Sequence, residues 1–205
     1  MIRNNTFASA LRIGSTAILV LAYGLMAYAC YRKFTDSGSI NMLGLFAINT
    51  VFIAMFIMRR DATSISTSPG VWLIAFGGTL LPLLMRPNGG GPFTPVGNAI
   101  QLVGILGILA SILSLRRSFG IVPANRGIRT QGLYNLVRHP LYATELLALM
   151  GSAIANPSVW NVSLWFCDMA LQLARAFAEE RLLSEDPSYL QYRSRVKYRL
   201  IPRII

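Results

Sequence analysis

The chain alternates long apolar stretches with short polar ones. Runs of apolar residues occupy Leu11 to Tyr31, Ile40 to Met58 and Val96 to Leu115, with a shorter one from Gly70 to Met85. A helix rises 1.5 Å per residue, so roughly twenty residues cross a hydrocarbon core about 30 Å thick. The pattern predicts four spanning helices. No small-residue cleavage site follows the polar opening Met1 to Thr6, so the first run is expected to be a retained span. Beyond a polar connection from Arg116 to Arg138, a further run covers Leu141 to Ala155, breaks at Asn156-Pro157 and resumes to about Ala178. Its first arm, about fifteen residues, reaches roughly 22 Å and falls short of a crossing, which predicts a re-entrant helical hairpin. Asn156 is the expected cap and Pro157 the expected first residue of the second arm. The predicted fold class is an all-α polytopic membrane bundle of one domain, 1–205. Residues 1–115 form its four spans, and 116–205 form a loop, a hairpin and an interfacial tail.

Composition agrees: 54% of residues are hydrophobic and only 13% charged, against roughly a quarter charged in soluble domains. A net charge of +11 raises the question of nucleic acid. With four spans and a hairpin, however, all nineteen Lys and Arg except Arg32, Lys33 and Arg86 fall on the side of the two termini. That distribution is the signature of membrane orientation, not of nucleic-acid binding. It places the N-terminus, the loops 59–69 and 116–138 and the tail in the cytoplasm, in the inner membrane if the cell is bacterial. Cys30 and Cys167 lie in apolar runs without ligand spacing, and no metal is expected. The glycines of Pro87 to Pro95 lack the preceding strand and following Lys-Ser or Lys-Thr of a phosphate cradle. Gly77-Gly78 is better explained by close helix packing.

Polar side chains inside the last run are more informative. Asp168, Gln172, Arg175 and Glu179 are spaced four, three and four apart, along a single helix face. An ionisable residue in a span costs about 2.5–3.5 kcal/mol on insertion scales, so this face should turn toward the bundle interior, as should Glu145 on the other arm. Internal pairing of Asp168 or Glu179 with Arg175 is the plain structural reading. Glu180 lies about 100° round the helix from Glu179, so the two carboxylates should take different partners. Arg138-His139-Pro140 joins a basic loop to an apolar helix, and a helix N-terminus there favours an anion. Tyr134 and Tyr142 suit an aromatic belt, and the alternating tail from Tyr189 to Arg203 suits an interfacial helix.

Together these residues carry a resemblance. Gly132-Leu-Tyr134, Arg138-His139-Pro140 with Tyr142, then Glu179-Glu180 with Leu183, Tyr189, Tyr192, Val196 and Ile201-Pro202 resemble isoprenylcysteine carboxyl methyltransferase and the related phospholipid methyltransferases. The likeness covers about Gly127 to Ile205. It implies an S-adenosylmethionine site without a Rossmann domain, assembled from the end of the loop, the hairpin and the tail. The implied cofactor-binding residues are Tyr134, Val137, Arg138, His139, Tyr142, Glu180 and Tyr192. Arg138 and His139 would take the carboxylate, Glu180 or Glu179 the ammonium, and Tyr142 and Tyr192 the apolar body. Arg138, Glu179 and Glu145 are the candidate catalytic residues, Glu145 as base for an acceptor that must lose a proton. The acceptor would be a lipid, a lipidated protein or another hydrophobic molecule, and the protein a monomer or homodimer. Ser184 to Ser188 lacks the Phe-Gly and tyrosine common after the Glu pair, and Val196-Lys197 replaces a common Val-Pro. These departures leave the acceptor open. Two other readings use the same residues: an NADPH-dependent lipid reductase with Arg126, Arg129 and Arg138 on the 2′-phosphate, and a non-catalytic membrane scaffold.

Overall fold

The computed structural model describes residues 5–86, 88 and 91–204, without the side chains of 5–12 and 15. Seven α-helices are described: α1 (Asn5–Ser37), α2 (Ile40–Met58), α3 (Pro69–Leu80), α4 (Thr94–Leu115), α5 (Pro140–Ala155), α6 (Val159–Leu183) and α7 (Pro187–Arg195). Among the described residues, three stretches are long and apolar enough to cross a membrane: Thr16–Ser37, Ile40–Met58 and Thr94–Ser118. The predicted third span is shorter. α3 passes at Pro82 into a 3₁₀ turn, Leu81–Leu84, so Pro69–Leu84 is one apolar rod. Four helices open on proline at their first or second residue, at Pro69, Pro95, Pro140 and Pro187, where its fixed φ suits the helix and its missing N–H costs nothing.

The chain divides into two compact units, 1–59 and 60–205. The first is the antiparallel pair α1–α2, closed by Gly38 at a φ of 65°, a conformation glycine adopts without strain. Its centre is aromatic, with Tyr23 5.1 Å from Phe52 and 5.3 Å from Phe56.

The second unit is built on the α4–α5 contact. A side chain on Gly97 would meet the backbone of Ala155, one on Gly104 the backbone of Ala148, and one on Gly151 the backbone of Gln101. Bare glycine surfaces let two backbones approach closely, the device by which helices associate in lipid. α3 also packs on α6 through glycine, which here makes room for side chains: a Cβ at Gly77 would press on the Leu171 side chain and one at Gly78 on that of Arg175. The close packing expected of that glycine pair is present.

A two-stranded antiparallel ladder was not anticipated. β1 (Ser64–Ile65) pairs with β2 (Ala124–Asn125), and Arg60 N–H donates to Arg117 O at 2.8 Å. The loops before α3 and after α4 are therefore bound to one another.

The hairpin turn departs from expectation. Asn156 closes α5 instead of opening α6: its N–H and side-chain amide both donate to Ser152 O. Ser158 caps α6, accepting from Asn161 N–H at 3.1 Å, and Pro157 precedes the cap. A residue before proline can cap a helix, as Asp186 does before Pro187, but the Asn156 side chain is committed to Ser152 O and Asn88 N–H, and Ser158 is left to cap α6. The turn is tied to the end of α3, where Asn161 accepts from Arg86 N–H and donates to Arg86 O.

Candidate active site

His139 ends the loop and has backbone angles of −126° and 60°, outside the helix that Pro140 begins. Its N–H donates to Arg199 O at 2.8 Å, and Arg138 N–H donates to Tyr198 O at 2.9 Å. The tail is thus zipped onto the loop. From α6, Glu180 reaches the same point and gathers three basic groups: Arg138 Nε at 2.7 Å, Arg199 Nε at 3.1 Å and His139 Nε2 at 3.3 Å. Glu179 faces the other side of the imidazole, 3.6 Å from Nδ1, and accepts from Tyr142 Oη at 2.9 Å. The two carboxylates share His139, one at each ring nitrogen, and otherwise take different partners: Tyr142 for Glu179, Arg138 and Arg199 for Glu180.

His139 stacks parallel to Tyr142, centroids 5.4 Å apart, and the Arg175 guanidinium lies 4.7 Å from the centre of the Tyr142 ring. Burial alone would push the imidazole pKa down, but its contacts with Glu179 and Glu180 prevail and raise it above the ordinary value. Burial and the nearby carboxylate of Glu179 push the Tyr134 phenol well up, so it remains a hydrogen-bond donor.

These groups border a cleft whose empty space, open mouth included, is about 690 Å³. Of the candidate residues, Tyr134, Arg138, His139, Tyr142, Glu179 and Tyr192 line it. Val137 and Glu180 stand behind as buried support. Tyr192 donates to Tyr134 O at 2.7 Å, so the tail aromatic is fastened to the loop. Tyr189 and Tyr192 are buried against Val196, Ile128 and Leu183, not laid on an interface as the tail pattern suggests. Helical structure in the tail stops at Arg195.

Glu145 lies elsewhere, accepting from Gln172 Nε2 at 3.0 Å. Gln172 also accepts from Arg175 Nη1 at 3.0 Å, and Arg175 Nη2 donates to Ile121 O at 3.2 Å. The polar stripe does face inward, with Asp168, Gln172 and Arg175 all buried. Arg175 is held by an amide, a carbonyl and a ring, so the expected ion pair with Asp168 is not what secures it.

Three features escaped the sequence. Arg199 completes the cluster around Glu180, although nothing distinguishes it among the tail cations. Tyr189, 2% exposed, is among the residues lining the cleft, and its buried hydroxyl has no hydrogen-bond partner. Arg138 is consumed internally, its Nη1 donating to Val196 O and Lys197 O.

Residues 93–186 match the model of a family described as phospholipid methyltransferase. That stretch holds α4, the connecting loop and the hairpin, so the likeness to membrane methyltransferases stands there. No curated protein matches the chain.

Proposed function

We propose that the protein is an S-adenosylmethionine-dependent methyltransferase acting on a membrane-embedded lipid acceptor, with the cleft and both termini on the cytoplasmic face. The observation that carries this reading is the convergence on His139: residues near 140, near 180 and near 190 enclose one cleft. Its chemistry fits the cofactor. Tyrosine faces suit a sulfonium and an adenine ring, the Glu179 carboxylate suits an ammonium, and the unpartnered Tyr189 hydroxyl awaits an acceptor.

When bound, the cofactor supplies a methyl carbon on positively charged sulfur. The chain's own groups then have limited tasks. Tyr142 orients Glu179, while Glu180 holds Arg138, His139 and Arg199 and so fixes the loop against the tail. Displacement at carbon gains chiefly from alignment and exclusion of water, which rigid aromatic walls provide. An acceptor amine needs a base, and Glu179 is the carboxylate at the cleft wall to take that proton.

Titration calorimetry of the detergent-purified chain with S-adenosylhomocysteine tests the reading. Binding is expected, weakened about tenfold or more by Glu179→Gln or Tyr189→Phe. A folded preparation that binds NADPH and not the nucleoside would overturn it.

A further inference from the structure

We infer that the arginines at one wall of the cleft, Arg129 and Arg126 with Arg60 and Arg116 beside them, form an oxyanion subsite for the phosphate of the acceptor lipid. This rests on the cleft being the methyl-transfer site and adds the feature by which the acceptor is recognised.

Arg138, the cation that the sequence nominates for an anionic ligand, is spent on Glu180 and two carbonyls. Arg126 and Arg129 line the same cleft as His139 and Glu179. Arg129 is anchored rather than splayed, its Nε donating to Ser118 Oγ at 3.1 Å while that hydroxyl donates to Arg126 O at 3.0 Å. Arg126 lies flat on Gly120, where even a methyl group would collide with its guanidinium.

The surroundings of Arg129 favour an anion. Beyond partial burial, the charges it feels most are those of Arg60 and Arg116, and all three influences disfavour its own charge. Like charges at one place cost free energy unless an anion offsets them. Fold elements bring them together: the β1–β2 ladder and the Arg60 N–H to Arg117 O bond hold the two loops in register, and Arg60 Nη1 comes within 3.8 Å of a Cβ position on Gly127.

Cations that only orient a membrane protein have no need to converge on a cleft wall. Arginine rather than lysine supplies both lining positions, and its planar fork matches two oxygens of one phosphate. A phosphodiester at the mouth leaves its acyl chains in the bilayer and its headgroup inside the cleft.

The test uses the full chain in neutral maltoside detergent, with two ligands measured separately. One is phosphatidylethanolamine bearing a fluorescent acyl chain, with the matching diacylglycerol as the phosphate-free control. The other is S-adenosylhomocysteine. Arg129→Gln is expected to weaken the phospholipid about tenfold or more, to leave diacylglycerol unchanged and to shift the nucleoside by less than about twofold. Arg129→Lys should recover part of the loss, and Arg60→Gln, on an exposed side chain, should show a smaller loss of the same kind. Parallel loss of the nucleoside would assign these arginines to the cofactor's carboxylate and overturn the proposal. So would phospholipid affinity unchanged by all three variants. Failure of the wild-type chain to bind the nucleoside would instead strike at the methyltransferase reading, whatever the lipid result.

Discussion

Glu180 is the residue on which the site's architecture turns. Its side chain is 5% exposed and satisfies cations from the loop and the tail. Removing one partner of a buried pair costs about 3–5 kcal/mol, whereas an exposed ion pair contributes about 0–1 kcal/mol. Glu180→Gln should therefore lower the melting temperature sharply in a detergent thermal scan, and Arg199→Gln, at the more exposed partner, only slightly. Equal effects would mean that the buried contacts carry no special weight. His139 adds a pH dependence of definite sign. Its folded pKa is raised, so its contribution to stability is complete below the ordinary imidazole value and is lost as pH rises through the folded one. Melting temperature should fall across that window, and His139→Gln should remove the fall. Sequence nominated His139, Glu179 and Glu180 through the resemblance, since a histidine before proline and a glutamate pair at a helix end each have an ordinary structural reading when taken alone. It was silent on Arg138 being consumed, since carbonyl partners from the tail leave no trace in residue type.

At the level of elements, α4 and α5 position the loop end that bears His139, and their contact depends on absent side chains. Two glycine positions predict opposite outcomes in a double-mutant cycle. A methyl at Gly104 meets the backbone of Ala148, whereas one at Gly107 meets the side chain of Thr144. Overpacking costs about 1–3 kcal/mol. Gly104→Ala should destabilise by at least that and not be rescued by Ala148→Gly, because the obstructing atoms are main-chain. Gly107→Ala should be rescued in part by Thr144→Ser, which deletes the obstructing methyl and keeps the hydroxyl bonded to Pro140 O. Rescue of both, or of neither, in urea or thermal unfolding would contradict this account of the seam. Gly97, Gly104 and the buried Ser111 recur every seven residues, so this face was legible as a small-residue stripe. The apolar periodicity that located α4 conceals it, because hydropathy grades glycine near neutral. The hairpin's cap was misplaced for a related reason: Asn156, Pro157 and Ser158 all favour helix ends, and only tertiary bonds to Arg86 and Ser152 select among them.

Across the whole molecule, the lengths of the rods and the loop ladder bear on membrane crossing in the second unit. The ladder holds loops 60–69 and 116–138 together, so α3 and α4 should either both cross or both stay out, and the length of α4 favours crossing. α3 contributes about 18 Å over twelve residues, and its 3₁₀ extension, at about 2 Å per residue, brings it to roughly 26 Å. That nearly matches the hydrocarbon thickness with little tilt. The hairpin expected to turn back within the bilayer is bound instead to the far end of that rod, Asn161 to Arg86 and Trp160 Nε1–H to Leu84 O. Its tip should then reach the outer surface while the cleft stays inside. Val159, 86% exposed beside the tip, and Leu190, 49% exposed on α7, are suitable reporters. After Cys30 and Cys167 are replaced, Val159→Cys in sealed right-side-out vesicles should react with an impermeant maleimide, and Leu190→Cys only after the membrane is opened. Protection of both in intact vesicles would restore the re-entrant hairpin. Reaction of Leu190→Cys alone would invert the molecule and move the arginine-rich wall away from the cytoplasm, contrary to the charge distribution that orients it.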